Sequence, residues 1–215
     1  MTVDEAFERI RNSRPKVVFV NGKTATGKTT FAKRLRSELE YKLIEMDTVA
    51  RYDVITPLGL PDNGEVFKEL YKYRNHLDWI ALLIQKLQLQ VQSAIVDGYP
   101  VVFEGAMPNI ISMKELFSGL PHPEILFFYP ANLKMYEQYV TQRFTQSNEN
   151  YNALLPPSFW DMVDVAEFKK FCQTRELTPE LLETISRYAR YGLNSSNERL
   201  AELRQNFDDV IVVEI

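Results

Sequence analysis

The segment "VVFVNGKTATGKTTFAKRL", Val17 to Leu35, constrains the fold more than any other part of the chain. Four apolar residues lead into a polar, glycine-bearing loop, and from Lys28 to Leu39 apolar and basic residues recur at helical spacing. A short continuous apolar run bounded by turn residues is the pattern of a strand buried on both faces, as in a parallel sheet between two helical layers. The loop Gly22-Lys23-Thr24-Ala25-Thr26-Gly27-Lys28-Thr29 fits G-x-x-x-x-G-K-[ST] at every fixed position. Glycines let the backbone wrap closely around a phosphate, and successive N–H groups point inward as donors. The following helix adds its positive N-terminal end. The expected nucleotide contacts are therefore Gly22, Thr24, Ala25, Thr26, Gly27, Lys28, Thr29 and Thr30. Lys28 would reach the β- and γ-phosphates, and the Thr29 hydroxyl would ligate Mg²⁺.

The rest of the chain repeats the strand-then-helix rhythm. Val3 to Asn12 reads as a short amphipathic helix, and "KLIEMD" as a second apolar run ending at Asp47, followed by a Pro/Gly-bearing loop through Gly64. A long helical region then runs to about Val96, with Leu77, Ile80, Ile84, Leu87, Val91 and Ile95 on one face. "YPVVFEGAM" reads as a third strand ending in Glu104, "EILFFYP" as a fourth and "DDVIVVEI" as a fifth. Helices are expected at 131–145, 159–173, 178–191 and 197–205. Such alternation argues for an α/β three-layer sandwich, a five-stranded parallel sheet with helices on both faces. Ligands bind beyond the carboxyl ends of such strands, where Gly22, Asp47 and Glu104 would gather.

With 215 residues, one domain spanning the whole chain is expected. A formal charge of −4, with both signs interspersed, gives no electrostatic case for a polynucleotide or an acidic membrane. The single cysteine, Cys172, excludes an intrachain disulfide and suits a reducing compartment, and its expected place is part-buried on a helix. The first residues lack the apolar core of a signal peptide, and no apolar run approaches spanning length. A cytoplasmic protein is expected. Nothing in the sequence specifies an oligomeric state.

A phosphate loop establishes a triphosphate, not a reaction. A GTPase needs a guanine-reading N-K-x-D, and the nearest string, "NHLD" (Asn75 to Asp78), lacks the lysine. The wording "TATGKT" resembles tRNA isopentenyltransferases, but the likeness stops at the loop. An ATP-hydrolysing or nucleotide-sensing switch usually carries an apolar strand ending in Asp-Glu; "VVFEG" has one carboxylate followed by glycine. That switch is the alternative to a small kinase, which accounts for more of the residues. Asp47 after the second strand suits a base that orients an acceptor hydroxyl and takes its proton, although an aspartate there also fits a helix N-cap. Glu104 can hold Mg²⁺ directly or through water, or be a solvated strand end. Arg143 lies where a helix meets the polar loop "TQSNENYNALLPPS" and is the candidate for neutralising charge over the phosphates, within a lid or substrate region of about 143–175. Arg187 and Arg190 are weaker candidates for the same charge.

These residues look like the P-loop kinase group that contains zeta-toxin-type kinases, chloramphenicol phosphotransferase and polynucleotide kinase. The resemblance rests on "GKTATGKTT", on "LIEMDTVARYD", similar to the "IDxDxFR" of zeta-type kinases, on "VVFEGAM", and on "ILFFYPANLKMYEQYVTQRF". It covers about Val17 to Phe144, and the second-strand motif reads with one acid rather than two. It implies ATP with Mg²⁺ and transfer of the γ-phosphate to a hydroxyl of a small molecule, nucleotide or sugar nucleotide. Residue by residue it implies Lys28 and Thr29 as phosphate and Mg²⁺ contacts, Asp47 as base, Glu104 near metal or substrate, and Arg143 as lid arginine. The acceptor is expected among the 48–73 segment, the lid and the strand ends, with Asp47, Arg51, Arg74 and Glu104 as candidate contacts. Phe67, Tyr71 and Tyr73 could stack on a base or sugar; for Phe67 and Tyr71 the i, i+4 spacing favours core packing.

Overall fold

The computed structural model describes residues 1–55, 77–105, 109–147 and 157–215. Its helices are α1 (Val3–Ser13), α2 (Lys28–Leu39), α3 (Met46–Val49), α4 (Leu77–Val96), α5 (Ile110–Ser118), α6 (Leu133–Thr145), α7 (Pro157–Trp160), α8 (Val165–Thr174) and α9 (Pro179–Asn206). The strands are β1 (Val17–Gly22), β2 (Lys42–Glu45), β3 (Val101–Glu104), β4 (Glu124–Tyr129) and β5 (Val210–Glu214). They form one sheet in the order β2-β3-β1-β4-β5, every pair parallel. The expected α/β architecture is the one observed.

Every residue of β1 is buried because alternate side chains feed two different apolar layers. Val17 and Phe19, with Phe103 and Phe127, pack on the layer of α4, α5 and the end of α9. Val18 and Val20, with Val102 and Phe128, pack on Phe7 and Ile10 of α1 and on Phe31 and Leu35 of α2. A third cluster lies beyond the sheet, where Phe144, Phe159, Phe171 and Tyr188 join α6, α7, α8 and the first half of α9. That cluster also takes in Ala25 of the phosphate loop. The topology places β1 at the point where connections diverge: β1 leads back across β3 to β2, whereas β4 leads outward to β5. Loops at the carboxyl ends part there and leave a crevice.

The structure revises the sequence reading in four places. The helices expected at 178–191 and 197–205 are one helix, α9. Gly192, in the gap between the two expected helices, lies mid-helix, and the Tyr136 ring occupies the space a side chain would take; a Cβ there would come within 2.8 Å of Tyr136 Cε1 and its hydroxyl. The helix expected over 159–173 is two, α7 and α8, because Asp164 caps a new start by accepting from the amides of Ala166 and Glu167. The loop expected from Asp47 onward begins as α3 and a π-helical turn at Ala50–Ile55; residues 56–64 lie outside the described ones. Helix α5 was not foreseen, although Asn109 caps it through the Ser112 amide and a parallel crossover from β3 to β4 calls for one. No helix among the described residues is long and apolar enough to cross a membrane.

Candidate functional site

The phosphate loop leaves β1 through Gly22, whose φ is +141°. A Cβ at Gly22 would lie 2.5 Å from the Phe128 carbonyl oxygen, so only glycine lets the chain turn out this close to β4. Gly27, at φ +82°, is the N-cap of α2 and supplies no side-chain cap; the first turn of α2 holds no acid. Nothing lies within 4 Å of where a Gly27 Cβ would be, so this end of the helix opens outward. Between them Ala25 adopts a left-handed φ of +66° and stays buried. The loop is braced from inside: the Thr26 hydroxyl and the Lys28 ammonium each donate to the Lys23 carbonyl at 2.7 Å. Asn21 Oδ1 accepts from the Gly22 amide at 2.6 Å. That bond fixes the Asn21 amide, whose Nδ2 is the one buried side-chain polar atom without a partner among the described residues.

Opposite the loop stand carboxylates from two neighbouring strands. Glu104 ends β3 in register with Val20 of β1 and with Glu45 of β2. The Thr29 hydroxyl donates to Glu104 Oε1 at 3.0 Å. Asp47 lies in the first turn of α3, two residues beyond Glu45. Glu45, not Asp47, occupies the N-cap position, and no side chain caps that helix, so the capping alternative for Asp47 does not hold.

Loss of water perturbs all three charged groups in the direction that disfavours charge. It pushes the Lys28 ammonium down to about 8; Glu104 and Asp47 oppose that shift, while Arg143 and Lys23 add to it. It raises the Asp47 carboxyl, with Lys28 opposing and Glu45 adding. Glu104 is raised for the same first reason, with Lys28 and the Thr29 hydroxyl opposing and Asp47 and Glu45 adding. Asp47 nevertheless keeps an exposed surface. The structure thus brings Lys28, Thr29, Asp47, Glu104 and Arg143 into one electrostatic neighbourhood. Sequence reasoning missed Glu45, whose signal was its place as the last residue of a strand two positions before Asp47.

On the far side of the loop is a cavity of about 570 Å³. Ala25, Thr26, Gly27 and Thr30 form one wall, Tyr139, Gln142 and Arg143 of α6 another, and Phe128 and Ile215 contribute apolar surface. Arg143 thus lines this cavity and is near enough to Lys28 to act on its charge. Of the weaker candidates, Arg187 donates to the Met162 carbonyl at 3.3 Å and Arg190 is exposed. The backbone of Arg51 lies in the π-helical turn, directly after the site. Phe67, Tyr71, Tyr73 and Arg74 lie outside the described residues, as does 148–156 of the lid region. Helices α7 and α8, within the region expected to form a lid, are anchored by rings, with Phe144 of α6 against Phe159, Trp160, Phe168 and Phe171. Cys172 is a part-buried thiol on α8, outside any disulfide, as expected.

No family model matches the chain, and no curated protein matches its sequence. Among solved structures it is similar to a gluconokinase from Sinorhizobium meliloti 1021, at 14% identity over 93% of this chain and 82% of that one, with a TM-score of 0.44. It is also similar to a sugar kinase from Janibacter sp. HTCC2649, at 17% identity over 82% of this chain and 93% of that one, with a TM-score of 0.43. At such identities and scores these likenesses assign neither family nor substrate.

Proposed function

We propose that the chain is an ATP- and Mg²⁺-dependent P-loop kinase, one domain over 1–215, that moves the γ-phosphate to a hydroxyl of a small molecule, nucleotide or sugar nucleotide. The observation that carries this reading is the place of Asp47 just past the end of β2, near enough to Lys28 for each charge to act on the other. A phosphate loop alone serves any triphosphatase; a carboxylate facing its lysine gives an acceptor hydroxyl somewhere to leave its proton. The acceptor oxygen bonds to the γ-phosphorus, the bond from that phosphorus to the β,γ-bridging oxygen breaks, and the hydroxyl proton passes to Asp47. Lys28 and Arg143 offset the charge spread over the transferring group.

The nucleoside fits the cavity bounded by Thr30, Tyr139 and Arg143, leaving the phosphates to run over the amides of 25–29 toward Lys28. Acceptor and nucleoside then approach the loop from opposite sides. The residues present suit Mg²⁺: the Thr29 hydroxyl and a Glu104 carboxylate oxygen are hard donors 3.0 Å apart. No group of three or more acidic, histidine or cysteine side chains among the described residues forms a cage of its own. Mg²⁺ characteristically takes one or two protein oxygens and completes its shell with phosphate and water. When bound it would supply charge neutralisation at the phosphates. Glu45, inside the quoted second-strand motif, is a second acid there that the one-acid reading left out. Low cysteine use fits the cytoplasm.

The test is transfer from γ-labelled ATP to a panel of nucleosides, nucleotides, sugar nucleotides and antibiotics. Transfer should require an acceptor and fall at least about a hundredfold in Asp47→Asn, with ATP binding retained. Turnover that needs no acceptor and survives Asp47→Asn would overturn the kinase reading in favour of an ATP-hydrolysing or nucleotide-sensing switch.

A further inference from the structure

The most strained residue of the phosphate loop is held from outside the loop. Ala25 takes a left-handed φ of +66°, a conformation that is strained for a non-glycine residue and persists only where the surroundings impose it. Two contacts impose it. The Ala25 side chain is packed into the aromatic cluster of α6–α9, and the Tyr136 hydroxyl donates to the Thr24 carbonyl at 3.1 Å. Tyr136 itself cannot swing away. It is 1% exposed, its ring fills the space over Gly192, and the Tyr188 side chain hydrogen-bonds its hydroxyl.

We propose that Tyr136 is a positioning residue for nucleotide binding, whose hydroxyl fixes the Thr24–Ala25 peptide so that the Ala25 N–H faces a bound phosphate. No peptide bond among the described residues is cis. In a trans peptide the carbonyl and N–H point in opposite directions. Holding the Thr24 carbonyl toward α6 therefore turns the Ala25 N–H away from α6, the alternation that makes a run of amides into an anion cradle. Gly192 is what admits the ring on the other side; the glycine in mid-helix α9 is part of the same device. The residue also links two parts of the site. Arg143 lies seven residues along α6 from Tyr136, two turns up on the same face. One helix thus sets both the strained turn of the loop and the arginine beside Lys28.

This inference rests on the loop binding a triphosphate, and the experiment separates the two ideas. Affinities for ATP, ADP and AMP are measured by calorimetry on the full chain, for wild type, Tyr136→Phe and Gly192→Ala, alongside each protein's unfolding midpoint. Phe keeps the ring and loses only the hydroxyl, so the fold is expected to survive. Tyr136→Phe should weaken ATP and ADP about tenfold, the size of one hydrogen bond to a charged group, and leave AMP, which lacks a β-phosphate, within twofold of wild type. Gly192→Ala displaces the ring from the other side and should show the same pattern. A purely structural role would lower the midpoint and weaken all three nucleotides alike, or none of them; either result overturns the proposal while wild-type ATP binding stands. Wild type that fails to bind ATP overturns the proposal together with the reading beneath it.

Discussion

Helices α1 and α2 lie side by side in one layer, with Phe7 packed edge-on to Phe31 and the Arg34 guanidinium 3.8 Å from the centre of the Phe7 ring. Their N-termini are built in opposite ways. The start of α1 is closed by its own side chains: Thr2 accepts from the Glu5 amide at 3.2 Å, and Glu5 accepts from the Thr2 amide at 2.7 Å. Asp4 and Glu5 add negative charge where the helix dipole favours it, and Arg34 of α2 holds Asp4 at 2.6 Å. The start of α2 has glycine for a cap, no acid in its first turn, and a desolvated lysine as its first residue. Its threonine hydroxyl turns away from the helix amides toward Glu104. One terminus has satisfied its donors and its dipole; the other keeps both for a ligand. Two neighbouring helices in a common environment should therefore respond oppositely to mutation.

The largest contrast is expected at Lys28. Lys28→Met should weaken ATP binding and reduce acceptor phosphorylation by about a hundredfold or more, as removal of a charged contact to the transferring group does. It should also raise the unfolding midpoint of the ligand-free protein, because it removes an ammonium that burial disfavours. Activity lost together with stability gained marks a residue kept for its ligand. Stability falling with activity would mean that Lys28 serves the fold, as the cap of α1 does, and the contrast would fail.

The pH dependence should separate the two ends next. Lys28 titrates near 8 in the folded protein, against 10.5 for an ordinary lysine, so between these values the unfolded chain binds the extra proton. Ligand-free stability should accordingly rise with pH across that window. Binding runs the other way. A triphosphate favours the protonated ammonium, so affinity should be flat below about 8 and fall above it by up to about tenfold per pH unit, a slope that Lys28→Arg removes. On the acid side burial raises the Asp47 carboxyl above its ordinary 3.8, so transfer should be lost at a higher pH than an unperturbed carboxylate gives. Calorimetric affinities and initial rates over pH 5–10 check both limbs; an affinity independent of pH above 8 would place Lys28 away from the phosphates.

Much of this was legible in the sequence because it is local. The strand-loop-helix of 17–39 carries its own periodicity and glycines, and Lys28 and Thr29 follow from spacing alone. What was not legible depends on contacts distant in sequence. Gly192 falls in the gap between two expected helices, and only Tyr136, 56 residues earlier, shows why a glycine stands there. Glu45 reads as one more polar strand residue until the β2–β3 register sets it beside Glu104. The grip of Tyr136 on Thr24 spans 112 residues and has no local pattern at all. Helix α5 is the exception, since its Asn109 cap and the demand for a crossover were both available in the sequence.

The smallest expected effect sits at the closed terminus and completes the contrast. Thr2→Ala removes one arm of the capping box and leaves the Glu5 amide without its side-chain partner. The unfolding midpoint should fall by roughly 2–4 °C, the usual consequence of losing a cap in a chain of this size. ATP affinity and acceptor phosphorylation should stay within twofold, because nothing in α1 is asked to meet a phosphate. The other arm of the box, the Thr2 amide on the Glu5 carboxylate, is the one that depends on pH. The capping box holds the Glu5 carboxyl below its ordinary 4.5, so its contribution is present above that value and is lost as pH falls through the lowered one. Wild type and Thr2→Ala should therefore both lose that contribution in melting experiments as pH falls below 4.5, because the Thr2 amide that holds the carboxylate is present in both. A Thr2→Ala protein that melts like wild type at neutral pH would show that the cap of α1 contributes nothing, and a helix start without a side-chain cap would then cease to distinguish α2.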